Sequence, residues 1–451
     1  MAADATEVLA RFAATTTYDD IPEGVRERCK DLLLDALACA LAGHHGEETP
    51  QVAALARALA ESTESSVIGG KRLSLGGATL LNGYLITAVT MCDVHRPTAT
   101  HVTPEVIPPA LAIAERDSLS GRDLLVATAV GCETTTRIGI GLDYPAFRDR
   151  GWHGPGVIGP FGAAAAVGRL LGFDSDTMAA AFGLAGSQSA GTYAAWGTPT
   201  VKFHQCRGAL SGLLAALLAQ QRFVATHRFL TAPDGGLYNA YSNGGRPDAV
   251  TEALGERWEL MQIALRPWPS ASAIQGMITA MFELVEKHRL TPARTRKLRV
   301  SLGKAAFDMH GGFARYTGKF EALLSIHYAA AAILHDRALT LAQFEPTRFT
   351  DPELKSFAVE RVEVASDPTL VASQAVVEAD TTDGSTLVVR CEHPRGAPEN
   401  PLSRGEIADK FRAYARPRLP DPRIEEVIGL VSGMERLGST RTLMELLRSE
   451  R

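Results

Sequence analysis

Apolar residues recur at helical spacing along most of this chain. From Glu23 to Leu41, Val25, Cys29, Leu32, Leu33, Ala36 and Ala40 share one face, and Gly43 follows as a stop signal. The same period predicts helices over 51–61, 78–91, 105–116, 124–138, 161–171, 177–187 and 207–223, mostly separated by short stretches carrying Gly, Pro, Asp or Ser. No alternating run lies between these segments, so βαβ units are not expected.

The pattern changes near Pro267. A further helix is predicted over 273–288, and then Arg296-Lys-Leu-Arg-Val-Ser-Leu302 alternates polar and apolar as a half-buried strand does. A helix over 321–335 follows, then a strand over 359–364. A hairpin over 375–379 and 386–391 comes next, joined by Thr381-Thr-Asp-Gly-Ser385 with its Asp-Gly turn signal. Residues 396–401 read as a linker to helices over 405–414 and 423–430. The expected fold is therefore mainly α: a large helical domain in two parts, 1–266 and 396–451, interrupted by a small α+β domain over 267–395.

Composition sharpens this. Only 6% of the 451 residues are aromatic although 45% are hydrophobic, so the core must be filled mostly by Ala, Leu, Val and Gly, which let helices approach closely. A net charge of −5, without a basic stripe interleaved with aromatics, argues against a nucleic-acid partner. The densest apolar stretch, 209–219, is too short to span a bilayer, and no basic segment precedes an apolar one at the start. A cytoplasmic protein without a membrane partner is expected. The six cysteines form no C-x-x-C pair, which fits neither a disulfide framework nor a zinc site.

Three segments gather groups able to move protons or hold anions. Cys92-Asp-Val-His-Arg-Pro-Thr-Ala-Thr-His101 brings Asp93, Arg96 and His101 together between two helices; an anion site and a capped turn both fit. Gly151-Trp-His-Gly154 sets His153 before an apolar helix start, as an acid or base or as a turn histidine. In Val201-Lys-Phe-His-Gln-Cys-Arg207, the basic groups Lys202, His204 and Arg207 stand beside a hydrophobic wall, a costly placement unless an anion compensates. No Gly-rich phosphate loop after a strand, H-E-x-x-H or G-x-S-x-G is found. What remains is a site of acids, bases and cations, with no metal or organic cofactor expected.

Several segments resemble the MmgE/PrpD family of 2-methylcitrate dehydratases, cis-aconitate decarboxylases and iminodisuccinate epimerases. They are Leu80-Leu-Asn-Gly83, Pro108-Pro-Ala-Leu-Ala-Ile-Ala-Glu115, Gly151-Trp-His-Gly154 with Phe161-Gly-Ala-Ala-Ala-Ala166, Gly191 after Ser187-Gln-Ser189, Ser211-Gly-Leu-Leu-Ala-Ala216, Glu321-Ala-Leu-Leu-Ser-Ile-His-Tyr328, and Asn400-Pro-Leu with Lys410-Phe411. The resemblance implies an all-helical domain with the α+β insertion acting as a lid, a homodimer, and a site between the domains that handles small di- and tricarboxylates without a cofactor.

Carried over by position, His153 and His101 match family histidines, while three places depart. The family's Asp-rich run is reduced to Asp93, and Val201 stands where its lysine usually does, with Lys202 one step later. Pro269-Ser-Ala-Ser-Ala-Ile-Gln275 ends in Gln275 where a histidine is usual. The expected activity is a dehydratase: His153 abstracts a proton next to a carboxylate, Lys202 and Arg207 stabilise the charge, and His101, oriented by Asp93, protonates the leaving hydroxyl. Arg96, His204, Arg207, Arg266, Ser270 and Gln275 are the expected substrate contacts. A decarboxylase, an epimerase or an inactive carboxylate binder are the alternatives.

Overall fold

The computed structural model describes residues 4–312 and 314–449. By its internal contacts the chain divides into two units. One comprises residues up to 88, 92–263 and 403 onwards; the other comprises 89–91 and 264–402.

The first unit is a stack of helices. Its framework is α1 (Glu23–Gly43), α2 (Leu75–Thr87), α3 (Thr103–Arg116), α4 (Gly121–Gly141), α5 (Gly154–Leu170), α6 (Ser175–Gly186) and α7 (Thr200–Gln220). Helix α5 lies at the centre, packed on α3, α4, α6 and α7, and its run Ala163–Ala166 is fully buried. Small residues set the spacing. A Cβ on Gly212 of α7 would lie 2.3 Å from the Ala163 Cβ and 2.5 Å from the Pro160 carbonyl oxygen, so the two backbones meet almost directly. This is the close helix packing expected from a core poor in aromatics.

Two helices begin earlier than their apolar periods suggest. Helix α5 starts at Gly154 rather than near Phe161, and α7 at Thr200 rather than near Arg207. In α5 the proline of Gly154-Pro-Gly156 sits in the first turn, where a missing N–H costs nothing and a fixed φ favours the helix. The glycines and prolines that read as turn signals are thus inside the helix. As a result His153 is the residue immediately before α5, and Lys202 and His204 lie in the first turns of α7.

The end of the chain is tied to its beginning. Helix Arg404–Ala415 packs on α1, and Lys410 Nζ stands 2.6 Å from Asp35 Oδ1 in a place where both side chains are buried. Burial favours loss of the lysine's proton, but the Asp35 carboxylate beside it outweighs this and holds the ammonium. The other Asp35 oxygen accepts from the Cys39 thiol at 3.6 Å.

The second unit carries a four-stranded sheet made of β1 (Thr295–Leu302), β2 (Val362–Ser366), β3 (Ala375–Thr381) and β4 (Thr386–Cys391), in the spatial order β2-β1-β3-β4. Strands β1 and β2 run parallel, while β1 with β3 and β3 with β4 are antiparallel. The Asp383 carboxylate closes the hairpin by accepting from Thr381 Oγ1 and the Ser385 N–H. Helices α8 (Gln275–His288) and α9 (Ile326–Asp336) pack together beside the sheet. The helix expected over 321–335 is broken at Ser325, whose extended backbone ends Lys319–Leu324 and whose Oγ accepts from the Tyr328 N–H to start α9. Among the described residues, no helix is long and apolar enough to cross a membrane.

Because the Asp35–Lys410 pair is buried, removing one partner strands a charge. Lys410→Met is expected to cost about 3–5 kcal/mol of stability in a urea titration, and Asp35→Leu combined with it to recover most of that loss.

Candidate active site

The geometry of the site starts from one peptide bond that α5 cannot make. Pro160 has no N–H, so the carbonyl of Gly156, four residues earlier, is left without its helical partner. It is satisfied from outside: Ala190 N–H donates to it at 3.0 Å and Arg207 Nη2 at 2.7 Å. The same guanidinium also donates to the carbonyls of Ala190 (2.7 Å) and Gln188 (2.6 Å) and to Ser211 Oγ (3.3 Å). Arg207, expected as a substrate contact, therefore spends its donors on holding segment 188–190 against the start of α5.

That segment places the histidines. The His153 N–H donates to the Gly191 carbonyl at 3.0 Å, Tyr193 N–H to the Gly151 carbonyl at 2.8 Å, and Trp152 pairs with Thr192. Gly191 has φ +124°, a backbone conformation that favours glycine, and a Cβ there would crowd the His204 ring at 3.0 Å. The outcome is a direct contact between the Nδ1 atoms of His153 and His204 at 2.9 Å. The Tyr193 ring stands edge-on to His153 at 5.1 Å, and the Arg148 guanidinium lies over the Tyr193 ring, 3.5 Å from its centroid. Tyr193 and Arg148 carry no sequence signal beyond an aromatic two residues after Gly191 and a cation beside further charged residues.

The electrostatics follow from burial. His153 is only 5% exposed, and desolvation, reinforced by His204, His101 and Arg148, holds its imidazole well below the ordinary range. His204 is lowered too, by burial and by Arg207. Both rings are therefore neutral at neutral pH.

His101 belongs to the same neighbourhood, since its charge acts on His153, but Asp93 orients it differently from the expectation. The Asp93 main-chain oxygen accepts from His101 Nδ1 at 2.6 Å. The Asp93 side chain faces the start of α3, accepting from the N–H groups of Val102 (3.0 Å) and Thr103 (3.1 Å) and from Thr103 Oγ1. It is fully buried, which pushes its carboxyl up to about 6 against those hydrogen bonds. The carboxylate thus anchors the turn, and the backbone orients the ring. Arg96 opens the short turn Arg96–Thr98 of the same segment. The neighbouring His95 is fully buried between Thr98 Oγ1 (2.8 Å) and Glu259 Oε1 (3.2 Å) and is a structural histidine.

Lys202 is buried in the first turn of α7, where the helix dipole disfavours a cation. Its ammonium is compensated by the Ala88 carbonyl at 2.7 Å and by Glu48 at 3.6 Å, the latter also accepting from Tyr84 OH at 2.9 Å. Glu105, buried in α3, was not anticipated: neither carboxyl oxygen has a hydrogen-bond partner among the described residues, and desolvation keeps it protonated. In the second unit, Arg266 Nη1 donates to the Ser270 carbonyl (2.9 Å), Ser270 Oγ to that of Leu323 (2.7 Å), and Gln275 Nε2 to those of Trp268 and Ser270 (3.2 and 3.3 Å). These three residues form one cluster within that unit. No group of three or more His, Cys, Asp or Glu among the described residues has the arrangement of a metal site.

Comparison with known proteins now gives this geometry a family. The MmgE/PrpD N-terminal domain matches residues 7–249 and the MmgE/PrpD C-terminal domain residues 268–433. The chain belongs to the MmgE/PrpD family. It is 30% identical to the cis-aconitate decarboxylase-like protein oryM of Aspergillus oryzae, over 99% of this chain and 97% of that protein. It is also 28% identical to a cis-aconitate decarboxylase of Aspergillus terreus, over 98% and 95% of the two chains, and 25% identical to that of Mus musculus, over 98% and 93%.

If Arg207 holds segment 188–190 in this MmgE/PrpD protein, Arg207→Met leaves several carbonyls without donors. A loss of roughly 2–3 kcal/mol is expected in thermal or urea unfolding. Arg207→Lys should recover only part of it, because an ammonium lacks the planar fork.

Proposed function

We propose that this protein is a lyase that decarboxylates a small unsaturated tricarboxylate of the cis-aconitate type, moving the proton with its own histidines. The observation that carries the proposal is the buried His153–His204 pair with His101 acting on it, in a chain similar along nearly its whole length to proteins named as cis-aconitate decarboxylases.

The chemistry asks for one proton. When CO2 leaves a methylene carboxylate next to a double bond, the C–C bonding pair becomes a new C=C bond. The old C=C pair moves to the carbon beside a second carboxylate, and that carbon then takes a proton. The second carboxylate spreads the developing charge, and an imidazolium supplies the proton. His153 is neutral in the resting protein, but a polyanion bound beside it reverses the electrostatic balance and favours its charged form. Substrate and proton would thus arrive together, and His101 is the second imidazole able to relay the proton.

Dehydration of a hydroxy acid is the second reading, and it has its own support. A histidine held neutral by burial is ready to abstract a proton next to a carboxylate, which is the first step of that reaction.

The deciding experiment incubates the protein with cis-aconitate and, separately, with 2-methylcitrate in D2O, followed by proton NMR and CO2 detection. Decarboxylation predicts CO2 release and one solvent deuterium in the product. Loss of water without CO2 would establish the dehydratase reading, and binding without turnover would sink both. His153→Ala and His101→Ala are each expected to lower kcat roughly 10²–10⁴-fold with the fold intact by circular dichroism.

A further inference from the structure

We infer that His204 is a positioning residue for His153: its Nδ1 accepts the Nδ1–H of His153, which leaves Nε2 of His153 as the nitrogen that exchanges a proton with substrate. The inference rests on the reading of His153 as a proton-transfer group and assigns it an atom.

Two Nδ1 atoms 2.9 Å apart cannot both carry hydrogen, and two lone pairs at that distance would repel. Exactly one proton lies between them. The groups facing His153 are His204 on α7, Tyr193 on the short turn Tyr193–Ala195 that precedes α7, His101 before α3 and Arg148 on the short helix Tyr144–Asp149. None of the charged forms among them favours a second positive charge on the pair, so each ring is neutral and carries one proton. Two arrangements remain. If His204 donated, His153 would hold its proton on Nε2 and present no lone pair to a substrate. If His153 donates, its Nε2 is the acceptor in the resting state and the donor once protonated, which serves decarboxylation and dehydration alike. In either case the bond to His204 keeps the ring from rotating.

The surroundings are built for this contact. Gly191 both accepts the His153 backbone N–H and, lacking a Cβ, lets the His204 ring reach His153. Arg207, one turn along α7 from His204, pins the residues just before Gly191. His204 is thus withdrawn from the substrate contacts expected of it and placed behind the proton-transfer group, a position that typically fixes tautomer and orientation.

The test needs the tautomer as well as the rate. In protein labelled with 15N-histidine, long-range 1H–15N spectra assign the proton-bearing nitrogen of His153 with no substrate present, the assignment being made by its loss in His153→Ala. The expected result is Nδ1–H with an unprotonated Nε2 in the wild type, and a shift towards Nε2–H in His204→Phe, which keeps a flat ring but no acceptor. On whichever of cis-aconitate and 2-methylcitrate the protein turns over, His204→Phe should lose roughly 10²-fold in kcat with KM little changed, and His204→Asn, whose amide oxygen can accept, should recover most of it. A wild-type His153 protonated at Nε2, or a His204→Phe variant with unchanged tautomer and rate, overturns the inference while leaving the function reading intact. Full activity of His153→Ala overturns the function reading, and the inference with it, even if the tautomer is as stated.

Discussion

The arrangement of the histidines depends on one hydrogen bond that proline forbids. Pro160 in the centre of α5 frees the Gly156 carbonyl, and a buried carbonyl must find a donor. It finds two, the Ala190 N–H and the Arg207 guanidinium, and both belong to the structure that brings segment 188–193 onto the start of α5. From there the chain of consequences is short: Gly191 accepts from His153, its missing Cβ leaves room for the His204 ring, and the Tyr193 ring packs edge-on against His153. A helix defect thereby becomes the registration device for His153, the candidate proton-transfer group, and the His204 ring against it. Arg207 at the junction satisfies carbonyls that water would otherwise have to reach.

Charge in this unit is handled by the same principle of local compensation. Lys410 is held to Asp35, and Lys202 to Glu48 and a carbonyl. Asp93 is turned onto three donors at the head of α3. Lys410, Asp35, Lys202 and Asp93 are buried and each has partners, as the cost of an unpaired buried charge demands. The two neutral rings of His153 and His204 and the protonated Glu105 stand apart from this pattern. They are groups whose charge a bound polyanion would change, and such groups are where proton chemistry is most readily done.

Several parts of this were legible in the residue pattern. The helical period named most helices of the first unit, the alternation of 296–302 and the Asp-Gly turn named strands β1, β3 and β4, and the Gly-Trp-His segment singled out His153. The misreadings have a common cause. Gly154-Pro-Gly156 reads as a turn because Gly and Pro usually break structure, yet it forms the first turn of α5. At the first turn of a helix proline is favoured, and packing of small residues against α4 and α7 outweighs the glycine cost. Likewise Arg207 and Lys202 looked like anion-binding cations because a sequence shows the charge and not the carbonyls around it. Asp93 was expected to orient His101 by its carboxylate, which is the usual partnership, yet the carboxylate met the N-terminus of α3 first.

By itself the sequence determined the class of structure: helix period, small-residue core, an α+β region between two helical parts of the chain, and the histidines able to move a proton. Those follow from spacing and side-chain type, which are local properties. Only the tertiary structure decided which of these groups meet. That His204 lies against His153, that Arg207 serves backbone carbonyls, and that Lys202 pairs with Glu48 all depend on contacts between residues far apart in the chain. Such contacts are set by which buried polar groups must be satisfied once the helices have closed on one another, and no local pattern encodes them.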